Sequence, residues 1–222
     1  MPALVIGTSN PGKAGEFREL FAAAPLLADC RLSIATLADV AARDATQDDG
    51  DPEIAETGAT LAENAAIKAA AYARRFREWT LADDTGLEVD AIDGAPGLLT
   101  ARFAGPGATA AENRRRLLDV LAATPRAAAL VQRGAQFVCH LALADPAGEI
   151  RAASVGCCRG RIRFEPIGGG GFGYDSLFEL VEYHQTLAEL GAAAKGLLSH
   201  RARAVERIAP QLAALFGRAD VL

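Results

Sequence analysis

The sequence predicts an α/β fold in one compact domain, residues 1–222, with room for two lobes, and three observations carry that reading. The chain opens on a buried-strand signature followed by a turn and an amphipathic helix. Short apolar runs then alternate with longer helical stretches instead of segregating into halves. A hairpin with good turn chemistry stands in the second half, with no internal repeat and no clean linker anywhere. With 50% hydrophobic and 6% aromatic positions in 222 residues, the chain has material for a sizeable core, which excludes a disordered chain or a disulfide miniprotein.

Met1 to Gly7 reads as a strand, because Ala3, Leu4, Val5 and Ile6 form a continuous apolar run ended by glycine. A helix follows from Pro11: Asn10 suits the N-cap, proline suits the first helical position, and Phe17, Leu20 and Phe21 recur at core-facing spacing. Arg31 to Thr36 is the second strand, and the acidic stretch from Asp39 to Glu56 reads as surface loop. A long alanine-rich helix runs from Ala59 to Trp79, with Leu61, Ala65, Tyr72 and Phe76 on its packing face. Leu81–Asp83 and Leu87–Val89 are short strands around a turn at Thr85-Gly86, and Gly94 to Gly107 is loop. Ala110 to Leu121 is an amphipathic helix whose Arg114, Arg115 and Arg116 read as a solvated face. Gln136–Ala144 and Glu149–Cys158 form the hairpin about Asp145-Pro146-Ala147-Gly148, and Ser199 to Phe216 is the last helix.

Four segments carry candidate chemistry. Thr8, Ser9, Asn10, Pro11, Gly12 and Lys13 join a strand end to a helix start, where free N–H groups, a positive dipole end and the lysine suit phosphate. The Walker spacing is absent, and alone this segment reads first as an ordinary capped helix with an exposed lysine. Asp83 and Asp84 repel one another, which a hard cation relieves; Glu56 would complete such a site, and Asn64 and Lys68, four apart on one helix face, would both reach a phosphate. Each of these residues also has an ordinary surface reading. The glycine-dense stretch ending in Phe172-Gly173-Tyr174-Asp175 brings backbone close to something flat, with an aromatic ring for stacking, or is a loop anchored by its aromatics. Ser199-His200-Arg201, with Lys195 upstream, supplies further donors.

In chain order, TSNPGK at 8–13, ETG at 56–58, ENAAIKA at 63–69, ADDTGLEVDAIDGAPGLLTARFAG at 82–105, GFGYD at 171–175 and SHR at 199–201 resemble the Ham1-like inosine/xanthosine triphosphate pyrophosphatases over essentially the whole chain. The resemblance implies an elongated mixed β-sheet flanked by helices, with two lobes and an active-site cleft between them. It implies Mg²⁺-dependent hydrolysis of deaminated purine triphosphates (ITP, dITP, XTP) to the monophosphate and pyrophosphate, by a homodimer. Carried over by motif, Thr8 to Lys13 and Lys68 hold the triphosphate. Glu56 and Asp84 are metal-side carboxylates supported by Asp83, Asp84 is the proton acceptor, and Thr85 contacts substrate. Phe172, Gly173, Tyr174 and Asp175 line the nucleoside pocket, and Lys195, His200 and Arg201 contact the base. Three departures stand out: Thr85 for a commoner serine, Ser176 for the usual proline, and Ala193-Ala194 where acidic residues often precede the lysine. A binding module without catalysis is the runner-up.

Charge and composition bound the partners. Lys+Arg 23 against Asp+Glu 28 leaves a net −5, so no stable nucleic-acid complex is expected, only weak salt-sensitive association through Arg114 to Arg116. Every apolar run is interrupted too early to span a bilayer, no signal-peptide core is visible, and Cys30, Cys139, Cys157 and Cys158 show no metal-site spacing. A reduced, cytoplasmic protein without membrane contact is the expectation.

Overall fold

The computed structural model describes residues 3–30, 32–43 and 54–217. Strand β1 (Ala3–Ile6) is fully buried, as its apolar run requires, and leads through Gly7 to Asn10 into α1 (Pro11–Ala23). β2 (Ser33–Thr36) pairs parallel with β1, and β3 (Trp79–Val89) pairs parallel on its other edge, Val5 lying opposite Ala35 and Thr80. Between β2 and β3 come α2 (Leu37–Arg43) and α3 (Leu61–Phe76). Then follow β4 (Pro96–Gly97), α4 (Ala110–Ala122), the hairpin of β5 (Gly134–Ala144) and β6 (Ile150–Ile162), the short β7 (Phe178–Leu180) and β8 (Gln185–Thr186), α5 (Ala192–Leu198) and α6 (His200–Phe216). The strands form one mixed sheet in the order β2-β1-β3-β5-β6-β7-β8, with β4 attached antiparallel to β3.

The chain divides into two compact units, neither contiguous. The first comprises residues 1–84, 139–156 and 201–222; the second, 85–138 and 157–200. In the first, Leu4 and Ile6 of β1, Phe17 and Phe21 of α1, Leu81 of β3, Leu141 and Leu143 of β5, and Val205, Ile208 and Leu212 of α6 form one apolar cluster. Alanines dominate a neighbouring cluster, where Ala65, Ala69 and Ala73 of α3 meet Ala82, Ala142 and Ala144, so α3 lies close against the strands. The second unit has its own core, built from Leu87 and Val89, Leu117 and Leu121 of α4, Phe137, Ile162, Tyr174, Leu177 and Phe178.

Several sequence expectations are corrected. The stretch read as loop from Asp39 opens inside a helix, α2, because Leu37 and Val40 are buried; residues 44–53 of that stretch lie outside the described residues, as do Met1 and Arg31 of the first two predicted strands. The long helix ends at Phe76, where Arg77 takes a left-handed conformation (φ 54°), and Trp79 begins β3 instead. No turn occurs at Thr85-Gly86, since β3 runs unbroken through both residues. The last helix begins at His200, and Ala192–Leu198 forms a helix the sequence reading did not identify. Among the described residues no helix is long and apolar enough to cross a membrane, and all four cysteines are unbridged.

Candidate active site

In the first unit the site is built on three neighbouring elements. β1 ends at Ile6, and the following residues turn into α1, capped by Asn10: its Oδ1 accepts from Gly12 N–H at 2.9 Å and Lys13 N–H at 3.2 Å. These amides, read from sequence as open to phosphate, are therefore occupied by the cap. Thr8 Oγ1 accepts from Asn10 N–H at 3.3 Å, while Ser9, Pro11 and Gly12 are exposed. A groove of about 490 Å³ opens beside the loop, lined by Thr8, Ser9 and Pro11 on one side and Thr36 and Leu37 on the other.

Asp83 and Asp84 stand in the middle of β3, at 2% and 8% exposure, where the sequence reading has them at a strand end that the following turn would present to solvent. Successive strand side chains point to opposite faces, and the two carboxylates meet different partners. Asp83 Oδ2 accepts from Lys13 Nζ at 2.7 Å. Asp84 Oδ1 accepts from Lys68 Nζ at 3.0 Å, and its Oδ2 accepts from Asn64 Nδ2 at 3.3 Å. The same Lys68 ammonium donates to Glu56 Oε1 at 2.7 Å, so Glu56 and Asp84 converge on one point of positive charge. Burial alone would push the Asp83 carboxyl up, but Lys13 and Lys68 outweigh it and hold the group below the usual carboxylate range. Burial likewise pulls the Lys68 ammonium down, and Asp83, Asp84 and Glu56 overcome it, so the net displacement is upward. These groups keep their charges.

Arg201, on the first turn of α6, is 2% exposed and its Nε donates to Glu16 of α1. Glu16 was not among the residues singled out from sequence; only its place one turn beyond Lys13 would have drawn attention to it. Among the described residues no group of three or more His, Cys, Asp or Glu is disposed to hold a metal ion. The three carboxylates read as metal-side do not form one cluster: Glu56 and Asp84 meet at Lys68, while Asp83 is bonded to Lys13. Two carboxylates remain a chemically suitable donor pair for a hard divalent cation, which commonly takes one or two protein carboxylates and completes its shell with phosphate oxygens and water.

The second unit presents a different kind of cluster. Gly171 has φ +71°, and a Cβ there would lie 2.1 Å from Asp175 Oδ2, so glycine is required on both counts. That Asp175 oxygen accepts from Phe172 N–H at 3.1 Å and from Lys195 Nζ at 2.9 Å. Lys195 thus has an acidic partner despite Ala193 and Ala194, and its ammonium sits 5.6 Å from the Phe172 ring centroid. Arg114 Nη1 donates to Gly173 O at 2.6 Å, which corrects the solvated-face reading for this arginine; Arg115 and Arg116 are exposed as expected. Tyr174 donates to Thr100 O at 3.0 Å, and burial raises its phenol well above the ordinary value, keeping it neutral. His200 is 1% exposed and stacks on Phe137, with centroids 4.7 Å apart and planes at 17°. Thr85 is half-buried on β3.

Residues 4–211 match the model of the Ham1 family. A dITP/XTP pyrophosphatase from Rhodopirellula baltica is 42% identical over 209 residues, spanning 94% of this chain and 92% of that protein. One from Geobacillus kaustophilus is 41% identical over 217 residues, spanning 98% of this chain and 97% of that protein. Among solved structures, a HAM1 protein from Coxiella burnetii superposes with a TM-score of 0.79 at 33% identity, covering 96% of this chain and 100% of that one. The Staphylococcus aureus Ham1 protein does so with a TM-score of 0.76 at 31% identity, covering 96% and 99%.

Proposed function

The chain belongs to the Ham1 family, and on that premise we propose that it hydrolyses non-canonical purine nucleoside triphosphates (ITP, dITP, XTP) to the monophosphate and pyrophosphate, clearing deaminated purines from the nucleotide pool. The observation that carries the reading is the convergence of Glu56 and Asp84 on Lys68, beside a second buried pair formed by Lys13 and Asp83. We treat residues 1–222 as a single catalytic domain, because each unit is assembled from separate stretches of chain.

Phosphate chemistry is assigned to the first unit. Thr8 to Lys13 and Lys68 hold the triphosphate, their ammonium groups facing its negative charge. Asp84 accepts the proton of the attacking water: oxygen adds at the α-phosphorus, the bond to the α–β bridging oxygen breaks, and pyrophosphate departs. Asp83, more deeply buried and bonded to Lys13, fixes that lysine in place of acting as base. Glu56 and Asp84 would hold Mg²⁺, which when bound neutralises charge developing on the phosphate oxygens.

Base recognition is assigned to Thr85, Phe172, Gly173, Tyr174, Asp175, Lys195 and His200 of the second unit; Arg201, in the first unit, is held by Glu16. Phe172 supplies the stacking face. Fixed donors match a 6-oxo group, and a 6-amino group would leave them unpaired, the costly mismatch that yields strong discrimination. A cytoplasmic location agrees with the four cysteines being unbridged. A homodimer follows the family resemblance, and light scattering tests it, a monomer mass counting against it. No stable complex with nucleic acid is expected at this net charge.

Product analysis tests the central reading. Protein with Mg²⁺ is offered ITP, XTP, ATP and GTP separately, and pyrophosphate is scored against orthophosphate. Pyrophosphate from ITP and XTP with little from ATP or GTP is the expected result; binding of ITP with no product after long incubation would overturn it.

A further inference from the structure

Asn64 sits on α3 one helical turn before Lys68, and the sequence reading paired the two as phosphate contacts. The structure gives it other work. Asn64 is 2% exposed, and both ends of its amide are committed. Its Oδ1 accepts from Gly58 N–H at 2.8 Å, and its Nδ2 donates to Asp84 Oδ2 at 3.3 Å. A backbone N–H can only donate, so the atom facing Gly58 must be the oxygen, and the amino group is thereby turned toward Asp84. The local chain is shaped for this arrangement: a Cβ on Gly58 would stand 2.8 Å from Asn64 Oδ1 and 2.7 Å from Glu63 Cβ. Gly58 lies two residues beyond Glu56, so the same short segment carries the other carboxylate that meets Lys68.

We propose that Asn64 is a positioning residue for the pyrophosphatase reaction, aiming the Asp84 carboxylate through a relay that runs from the Gly58 amide through Asn64 to Asp84. The inference rests on the functional reading given above. A neutral donor suits the task. Lys68 already brings a full charge to Oδ1, and a second cation on Oδ2 would compete for the negative charge that Asp84 must offer to water and to a cation. An amide fixes the plane of the carboxylate without cancelling its charge. Residues that orient a ligating carboxylate in this way are worth on the order of 10- to 100-fold in metal affinity or activity when removed.

The test compares wild type with Asn64→Ala and Asn64→Asp. The aspartate variant keeps an acceptor for Gly58 N–H but sets a second carboxylate against Asp84, so the alanine variant reports the loss of the orienting bond and the aspartate variant that loss together with charge repulsion. Both variants are expected to lose on the order of 10- to 100-fold in kcat per folded molecule, with KM for ITP little changed and half-saturating Mg²⁺ raised. A crystal structure of Asn64→Ala is expected to show the Asp84 carboxylate turned from its present plane. Unchanged kcat and Mg²⁺ dependence, with only the melting temperature lowered, would overturn the proposal, as would an Asp84 left in place. Should wild type release no pyrophosphate from ITP while Asp84 still turns in the variant, the functional reading fails and the positioning role stands.

Discussion

In the first unit the candidate functional groups are mostly charges held by other charges: Lys13 on Asp83, Lys68 on Glu56 and Asp84, Arg201 on Glu16. In the second, Phe172 to Asp175 are carried on a glycine loop held largely through its backbone, by Arg114 on the Gly173 carbonyl and by Asp175 on the Phe172 amide, with Lys195 paired to Asp175 beside it. On the proposed assignment, the contrast follows from what each would bind. A triphosphate demands full charges in a partly dry site, and buried charges persist only when paired before the ligand arrives. A purine ring demands flat contact and a few directed donors, which a loop fixed by hydrogen bonds provides without desolvating many ions.

Four substitutions probe that contrast, in descending order of effect on turnover. Asp84→Asn removes the proposed proton acceptor and is expected to lower kcat by roughly 10²- to 10⁴-fold with the fold intact, read by pyrophosphate release and circular dichroism. Lys13→Met leaves Asp83 buried without this partner; a loss of about 3 kcal/mol in stability is expected by denaturant unfolding, together with weaker triphosphate binding. In the second unit the damage should fall on KM. Phe172→Ala forfeits a stacking contact worth about 1–3 kcal/mol, raising KM for ITP on the order of tenfold while kcat is largely retained. Arg114→Ala should raise KM about fivefold, the worth of one hydrogen bond of ~1 kcal/mol, and a drop confined to kcat would break the comparison.

The smallest effect on turnover is expected at Glu179, on β7, whose buried carboxylate is gripped by Arg161 at 2.7 Å and Arg163 at 2.9 Å. Hydrogen bonding from Arg161, set against burial, holds this carboxyl below its ordinary 4.5. An anion favoured by folding contributes stability above the unfolded value and loses that contribution as the pH falls through the lower folded value. Glu179→Gln should therefore melt below wild type at pH 7 with ITP turnover unchanged, and the two melting curves should approach one another as the pH drops below about 4.5.

What the sequence made legible, and what it hid, divides along physical lines. The cap at Asn10, the buried run of β1 and the β5–β6 hairpin depend on neighbours in the chain, and all three stand where their patterns put them. Asp83-Asp84-Thr85-Gly86 has turn-forming composition, yet β3 is an interior strand between β1 and β5, and pairing on both edges overrides that local preference. β7 and β8, of three and two residues, are too short to show an alternation. The role of Asn64 was hidden because its partners lie 6 and 20 residues away. Motifs named the candidate residues; which oxygen each nitrogen reaches is a tertiary fact.

The ion pair between Glu16 and Arg201 joins residues 185 positions apart. A ribosome emitting this chain makes α1 well before α6, and until α6 emerges the first unit lacks Val205, Ile208 and Leu212 from its core. Closing so long a loop must be paid before the contact returns anything, so the first unit cannot be finished in the order it is made. Whatever α1 and β1 form before then, their apolar faces wait for α6 to cover them.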